Sequence, residues 1–535
     1  MRSSLKAVVG ALALTTVAAS TSSCATYSDK TEAARNALRQ GNYETSVKEL
    51  NRILKVRKAD DLPDKWKKNF ELVVLERASI LQAMGMYELS ARDFGVAEKK
   101  LEFLDLARDT AGNIGKWVYS DSATKYKTTP TEKLSLNAIN MVNYLARGDL
   151  DGAKVEVKRF TTMRNYFADY DPEHEHGAFG SYLAGFVHEK LGNADTALRY
   201  YDEALMERDF GSLVAPIKRL SEKGSYRGER IKDYLPSTPG APPKKAEPKP
   251  KAEPKPDKQE PKAVEPKPVA PKPAEGGEPE PDAPTTDATE SGPPAQTSAD
   301  VPIQRPTPPT AALGSIPARP SSAWNAPEGA PAEILVVAKV GRVPHRIPKR
   351  IPIGAAVGLA GAYVTGDTTL LEYGMFKVLT YPELASARNL FVDAEMRIDG
   401  DMVPLEEATD IESEVIAEFD ELRPKIIGAA LTRMIVRAAA AEGARAAGKQ
   451  SENAGGLVGF LAAAAVEGTL VALDKPDTRS WSTLPARVYV GRLEVPPGAH
   501  KVEVTAFGPG GKERHSFDVK LAPGGYIVLD VTTLR

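Results

Sequence analysis

Apolar side chains recur at helical spacing through residues 29–234, and one short motif repeats within that stretch. Each copy begins at a glycine, has a small residue five positions later and has a bulky residue nine positions later. The four copies begin at Gly41, Gly85, Gly148 and Gly192. A glycine lets the chain reverse, and the residues that follow it lie on one face of an amphipathic helix. The motif therefore predicts a layer of paired helices joined by turns.

This arrangement is tetratricopeptide-like, although the usual period of about 34 residues is missing. The four glycines are spaced 44, 63 and 44 residues apart, so we expect inserted loops or extra turns between the pairs. A generic bundle of helical hairpins is the alternative interpretation. Both interpretations predict an all-α layer, and stacked pairs of this kind form a concave surface for a peptide or a partner helix.

The hydrophobic period changes over residues 332–535. Apolar runs and apolar–polar alternation, separated by Pro-Gly and Gly-Gly turns, are typical of strands. The predicted strands cover residues 334–338, 376–379, 392–398, 488–490, 493–495, 501–507, 516–521 and 526–531. Two helices are predicted at 411–419 and 424–447, the second beginning at Pro424. This half is predicted to be an α+β domain that ends in an antiparallel β-sheet or sandwich.

A Pro-rich stretch separates the two halves. Between residues 236 and 320, 24 of 85 residues are Pro, a composition that cannot bury a core and that favours a disordered linker. We therefore expect a multidomain chain whose two halves fold independently. The predicted segments are a lipoprotein signal peptide (1–23), a lipidated N-terminus (24–28), a tetratricopeptide-like helical domain (29–235), a Pro-rich disordered linker (236–331) and an α+β domain (332–535).

The first 24 residues have the order of a secretory signal peptide. Arg2 and Lys6 precede an apolar stretch at 7–19, and a short polar run leads to Cys24. A signal that ends on a cysteine resembles that of a bacterial lipoprotein, whose thiol is diacylated and starts the mature chain. Thr21 departs from the Leu that usually stands three places before such a cysteine. A secreted protein with a coincidental cysteine is the alternative interpretation.

Sorting of the anchored chain follows from the residues after the cysteine. The two residues after Cys24 are Ala25 and Thr26, and neither is an Asp. By resemblance to lipoprotein sorting in double-membraned bacteria, the absence of Asp here favours the outer membrane. The expected location is therefore the periplasmic side of the outer membrane, with the membrane bound through lipid on Cys24.

Composition narrows the function classes. With 70 basic and 72 acidic side chains in 535 residues, the net charge is −2, so the chain lacks the basic footprint of a nucleic-acid-binding protein. One cysteine excludes a disulfide framework and a cysteine-based zinc site. The mean hydropathy of −0.33 argues against a polytopic membrane protein. Residues 454–473 come nearest to a membrane span, but Glu467 within them favours a buried, tightly packed helix.

Candidate chemistry is sparse. Residues 171–177 place two histidines among carboxylates, but histidines two positions apart do not share a helix face, and the other histidines are scattered. A solvated loop is the better interpretation, and no metal or cofactor is expected. The glycines of residues 353–361 lack the spacing of a phosphate loop or a dinucleotide fingerprint. No nucleophile–base arrangement is recognisable, so we expect a protein that is not an enzyme.

A basic arm at residues 340–350 is a candidate binding element. It contains Arg342, Arg346 and Arg350 together with prolines that prevent pairing as an inner strand. Such a cluster suits an anionic cell-wall glycan or a lipid headgroup. A solvated β-arm that crosses between strands is the alternative.

Two stretches carry a family resemblance. Residues 477–485, with Arg479 and Trp481 leading into strands, resemble the C-terminal end of an uncharacterised family of bacterial envelope lipoproteins. Residues 143–149 and 153–159 are similar to the repeat-like half of the same family. The resemblance covers most of both halves and excludes the Pro-rich stretch. It implies an envelope lipoprotein with tetratricopeptide-like helices and a β-rich tail.

These patterns predict a non-enzymatic scaffold or adaptor that faces the periplasm and binds envelope proteins through its helical repeats. Tyr166, Phe167 and Tyr170 are candidate partner-binding residues, because aromatic residues are enriched at binding hot spots. Packing under a loop is the alternative for these three. An activator of a cell-wall synthase or a component of polymer export is a second candidate, and a peptidoglycan- or polysaccharide-acting enzyme is the candidate of another class.

Overall fold

Helix pairs build the N-terminal half of the chain. The computed structural model describes residues 25–103, 126–170, 177–235, 329–361, 378–449 and 476–535. The helices before the Pro-rich stretch are α1 (Tyr27–Arg39), α2 (Tyr43–Leu54), α3 (Phe70–Ala83), α4 (Tyr87–Lys100), α5 (Pro130–Ala146), α6 (Leu150–Tyr170), α7 (Ala178–Lys190), α8 (Ala194–Glu207), α9 (Val214–Ser221) and α10 (Ile231–Tyr234). Two short parallel strands, β1 (Glu102–Phe103) and β2 (Lys127–Thr128), lie between α4 and α5.

The four glycine motifs are confirmed as turns between packed helices. Gly41, Gly85, Gly148 and Gly192 all have positive φ, between 69° and 79°, a conformation that only glycine adopts without strain. The small residue five positions later is buried at every copy, and the bulky residue nine positions later is buried as well. At the first copy, the Ser46 hydroxyl also donates to the Ala34 carbonyl at 2.9 Å, so the motif holds the two helices of a pair together.

Two four-stranded sheets form the centre of the C-terminal half. The strands are β3 (Ala332–Val340), β4 (His345–Pro352), β5 (Val378–Ala385), β6 (Asp393–Ile398), β7 (Asp401–Val403), β8 (Glu406–Asp410), β9 (Arg487–Val495), β10 (Gly498–Gly508), β11 (Gly511–Leu521) and β12 (Tyr526–Thr533). One sheet has the order β11-β10-β6-β7 and the other β12-β3-β9-β8. All pairs are antiparallel except β12 with β3, which run parallel with Tyr526 opposite Glu333.

The sheet β12-β3-β9-β8 has helices on one face and the other sheet on its second face. Every residue of β3 is buried. Ile334, Val336 and Ala338 lie in the core between the two sheets. Leu335 and Val337 lie in the core that the helices share. Because successive side chains of a strand point to opposite faces, this alternation gives three layers: helices, sheet, sheet.

A smaller group of elements lies beside these layers. The strands β4 and β5 pair as a two-stranded sheet and pack with α11 (Ile353–Ala360) and α12 (Ile411–Lys449) around a core that includes Leu379 and Leu431.

The prediction of two helices with a start at Pro424 was wrong, because α12 continues through Pro424. An interior proline loses one backbone hydrogen bond. Apolar contacts on both sides, Leu422 before it and Ile427 after it, keep the helix continuous.

The helical half and the β-rich half do not form the two separable pieces that the sequence suggested. All described residues belong to one compact unit, which joins the chain before the Pro-rich stretch to the chain after it. One hydrophobic core contains Leu75 and Phe186 of the helices together with Val337 and Val528 of the strands. The α and α+β layers therefore stabilise each other, although a long Pro-rich sequence separates them along the chain.

Candidate functional site

The first helix of each pair faces the β-rich half. We call α1, α3, α5 and α7 the inner helices; they pack against β4, β12, β12 and β8, respectively. Residues 70–82 of α3 are all buried, whereas α2 buries one face only. A helix that is buried on all sides has a partner on every side. The surface on which stacked helix pairs usually hold a peptide is therefore covered by the same chain.

Residues 477–485, which we call the inserted segment, enter this covered surface. Trp481 is completely buried. Its indole Nε1 donates to the Ser79 hydroxyl at 3.0 Å, and its ring meets the Phe94 ring edge-on at 5.9 Å. The indole thus contacts both α3 and α4, with its polar atom satisfied as a buried tryptophan requires.

Two buried glutamates of the inner helices hold the inserted segment. Glu76 of α3 accepts from the Ser482 amide at 3.2 Å and from the Ser482 hydroxyl at 2.9 Å. Glu132 of α5 accepts from the Trp481 amide at 3.2 Å. Burial raises the pKa of Glu76, against the opposing effect of the Arg35 guanidinium. Glu76 and Glu132 thus accept hydrogen bonds from backbone amides of the inserted segment, as the binding site of an extended peptide does.

The start of the inserted segment reaches α1 and the loop before α3. Arg479 pairs with Asp477 at 2.6 Å and donates to the Asn69 side chain at 3.2 Å. The Thr478 hydroxyl accepts from the Ser28 amide at 3.1 Å. The inserted segment therefore contacts three inner helices, α1, α3 and α5.

A buried ionic cluster joins α7 to the sheet. The guanidinium of Arg492 on β9 donates to both carboxylate oxygens of Glu189 at 2.7 and 2.8 Å and also to Glu333 of β3. Lys190 pairs with Glu333, and the Tyr201 hydroxyl donates to Glu189 at 2.6 Å. Burial alone would raise the pKa of Glu189, but Arg492 and Lys190 hold it well below its usual range.

A second polar contact lies where α3 and α5 meet the sheet. Lys339 of β3 and Asp530 of β12 are fully buried and 2.9 Å apart. Lys339 also donates to Gln82 of α3, whose amide nitrogen donates to the Ile139 carbonyl of α5 at 2.9 Å. Burial lowers the pKa of Lys339 and raises that of Asp530. Each of the four inner helices is thus joined to the β-rich half by at least one polar contact.

Two of the three aromatic residues predicted to bind partners, Tyr166 and Phe167, are packed against their own chain. Phe167 is only 3% exposed, so the prediction of an exposed hot spot is wrong for this residue. Tyr166 is half-buried, packs against the core and meets the Phe167 ring edge-on at 5.7 Å. The side chain of Tyr170 lies outside the described residues. The alternative, packing side chains, holds for the two described aromatics.

The three arginines of the basic arm are not brought together. Arg342 is 2% exposed, and burial lowers its pKa to about 10. Arg346 lies over the Phe419 ring at 5.8 Å, and Arg350 is exposed on β4. The prediction of one cationic surface is therefore wrong, because Arg342 is buried before β4 begins and Arg346 lies over Phe419 of α12.

Several predictions fall outside the described residues: the lipidation of Cys24, the histidine loop at 171–176 and the apolar stretch at 454–473. Among the described residues, no group of three His, Cys, Asp or Glu side chains is arranged to hold a metal ion. No described helix is both long and apolar enough to cross a membrane.

Sequence reasoning missed Glu76 and Glu132 as ligands of the inserted segment. The available signal was the position of Glu76 directly after the apolar run at 72–75. A carboxylate that is buried beside such a run needs a partner. No protein-family model matches this chain, and no curated protein or solved structure matches it significantly.

Proposed function

We propose that the chain is a non-enzymatic, periplasm-facing lipoprotein of the outer membrane that acts as a protein-binding scaffold. In this proposal the helix pairs are tetratricopeptide-like and hold the inserted segment in the way such repeats hold a peptide. The observation that carries the proposal is the complete burial of Trp481 between α3 and α4. The β-rich half is thereby fixed to the helices as one rigid platform.

The covered inner surface changes where partners are expected. A surface filled by Trp481 and the ionic cluster of Arg492 has no room for a second peptide. Partners of the scaffold therefore bind the outer helices, such as α2, α6 and α8, or the sheet β11-β10-β6-β7. Val155 on α6 is 51% exposed and Met402 on β7 is 54% exposed, so both surfaces offer apolar contacts.

Anchoring follows from the sequence of the first 26 residues. The signal-like stretch ends at Cys24, and α1 begins three residues later at Tyr27. Several acyl chains on one cysteine give stable membrane attachment, whereas a single chain does not. The scaffold is then held directly at the bilayer surface.

Crosslinking in intact cells tests the scaffold. We expect the full-length chain to recover a reproducible set of envelope proteins, and Cys24→Ser to leave the membrane fraction and lose them. Trp66→Phe, a conservative change in the helical half, is the matched control and retains both properties. A cell-wall synthase or a polymer-export protein among the partners would specify the pathway.

The competing class is an enzyme acting on peptidoglycan or polysaccharide. Incubation of purified protein with isolated cell-wall polymer distinguishes the two classes. Release of soluble fragments by the protein, together with no partner in the crosslinking experiment, would overturn the scaffold.

A further inference from the structure

A basic cleft lies beside the first turn of α1. It has a volume of about 560 Å³ and lies between α1, the end of α2 and the start of α3. Its lining includes Lys30 of α1, Arg52 of α2 and the consecutive residues Lys67 and Lys68. The cleft is open to solvent, since these four cationic residues are all exposed.

The cations of the cleft have few counter-charges. Among the described residues, no ion pair involves Lys30, Lys67 or Lys68, and the Arg52 side chain, which pairs with Glu49, remains 70% exposed. The loop 55–68 adjoining the cleft has six basic residues and three acidic ones. The neighbouring Lys55 ammonium lowers the pKa of Lys67. Crowded cations with so few carboxylates present an electropositive surface to an anionic partner.

The acidic group that lines the cleft is already engaged. Asp29 accepts from the Thr26 amide at 2.7 Å and from the Thr26 hydroxyl at 2.8 Å. These bonds complete a capping box that begins α1 at Tyr27. The Asp29 carboxylate is therefore held by the cap of α1.

Chain length places the cleft close to the proposed lipid anchor. Three peptide units separate Cys24 from Tyr27, and consecutive Cα atoms are about 3.8 Å apart, so the two Cα atoms are at most about 11 Å apart. Tyr27 itself lines the cleft. An acylated Cys24 would hold the cleft against the bilayer surface.

We propose that this cleft is a membrane-docking surface that binds the headgroups of anionic phospholipids. Its chemistry is that of a juxtamembrane basic cluster, which is attracted to a negatively charged leaflet. The inference rests on the proposed lipid anchor for its orientation. Docking would fix how the scaffold stands on the membrane, because a lipid chain alone leaves the protein free to rotate.

Vesicle binding without the lipid tests the docking surface separately from the anchor. The protein used is the chain from Ala25 to Arg535, which lacks only the proposed signal peptide and Cys24 and retains every described residue. Its sedimentation is measured with phosphatidylethanolamine vesicles containing phosphatidylglycerol and with neutral phosphatidylcholine vesicles. We expect binding to the anionic vesicles only, and weaker binding at higher salt.

Substitution of Lys67 and Lys68 by Gln identifies the surface. We expect the double variant to lose about 30-fold in partition coefficient, because each cation near an anionic leaflet adds to the attraction. Lys223→Gln with Lys232→Gln, two exposed lysines beside α9 and α10, is the matched control and leaves binding unchanged.

Three outcomes would overturn the docking surface: equal binding to neutral vesicles, equal losses in the two double variants, and displacement by millimolar inorganic phosphate at constant ionic strength. The last outcome would indicate a small-anion site in place of a membrane surface. None of them affects the fractionation of Cys24→Ser, so failure of docking and failure of the anchor remain distinguishable.

Discussion

Two contacts join the helices to the β-rich half, and they use different chemistry. At α3 and α5, the inserted segment buries one indole, Trp481, and its backbone amides donate to two carboxylates, Glu76 and Glu132. At α7, Arg492 compensates two buried carboxylates at once. The first contact gains free energy from apolar burial, and the second depends on mutual neutralisation of charges that are costly to bury alone. The buried carboxylates of the two contacts are therefore expected to change the unfolding free energy in opposite directions as the pH falls.

The largest effect is expected from Trp481→Ala. Removing a fully buried tryptophan leaves a cavity and typically costs about 3–5 kcal/mol of unfolding free energy. Because the indole lies between the halves, chemical denaturation monitored by far-ultraviolet circular dichroism should show a lower midpoint.

The control is Trp481→Phe, which keeps most of the packing but leaves the Ser79 acceptor without the indole donor. It should cost less than the alanine variant. A change below about 1 kcal/mol for Trp481→Ala would mean that the inserted segment does not hold the halves together.

Arg492→Met is expected to follow, with a loss of about 3 kcal/mol at pH 7, since it removes the guanidinium that pairs with Glu189 and Glu333 and leaves Lys190 alone to compensate both. In the folded protein both glutamates have pKa values below their usual range, despite the opposing effect of burial. Their stabilisation is complete above the unfolded pKa of about 4.3 and is lost as the pH falls through the folded pKa.

The difference in unfolding free energy between wild type and Arg492→Met should therefore narrow as the pH falls towards the folded pKa of the wild-type glutamates, because burial without Arg492 favours the protonated glutamates of the variant. Denaturant titrations between pH 3.5 and 7 measure this difference. A constant difference over that range would contradict the charge-neutralisation account of the α7 contact.

The glycine motif shows which parts of this interface a sequence can predict. A positive φ at Gly41 and close packing at Ser46 are local requirements, so the helix pairs could be predicted from spacing alone. The parallel pairing of β12 with β3 joins residues nearly 200 positions apart, and no local pattern encodes it. For the same reason the burial of Arg342 was not predictable, since its backbone pairs with Asn389, 47 positions away.

The inserted segment was recognisable as a motif in the sequence, but its contacts with α1, α3 and α5 were not. Trp481 and Arg479 stand out in the sequence, whereas their acceptors, Ser79 and Asn69, are about 400 positions away. The Pro-rich stretch suggested that the two halves fold independently. The apolar faces of the inner helices are instead buried against the β-rich half. The structure shows this cover at α3, where residues 70–82 are all buried although they include Glu76 and Arg77.

Glu76→Gln tests whether the unfolding free energy depends on pH in the opposite direction at the α3 contact and at the α7 contact. Burial holds the pKa of Glu76 above its unfolded value, so its contribution to stability increases as the pH falls from the folded pKa towards about 4.3. Glutamine keeps an acceptor for the Ser482 amide and cannot titrate, so the variant should cost about 1 kcal/mol or less.

Between pH 7 and 4.5 the wild type should gain stability relative to Glu76→Gln, opposite to the trend expected at Arg492. The measurement is the same set of denaturant titrations. Parallel pH profiles for wild type and Glu76→Gln would show that the buried carboxylate does not titrate with folding.

The smallest effect is expected from Arg219→Met, at the edge of the α7 contact. Arg219 donates to the same glutamate as Arg492, at 2.7 Å from Glu189, but its side chain is 37% exposed, against 2% for Arg492. Water compensates an exposed charge, and exposed ion pairs usually contribute less than about 1 kcal/mol. Arg219→Met should therefore lower the unfolding free energy by about 0.5 kcal/mol, and added salt should remove the difference. If it costs as much as Arg492→Met, then the charge on Glu189, and not the burial of its partner, determines the strength of this contact.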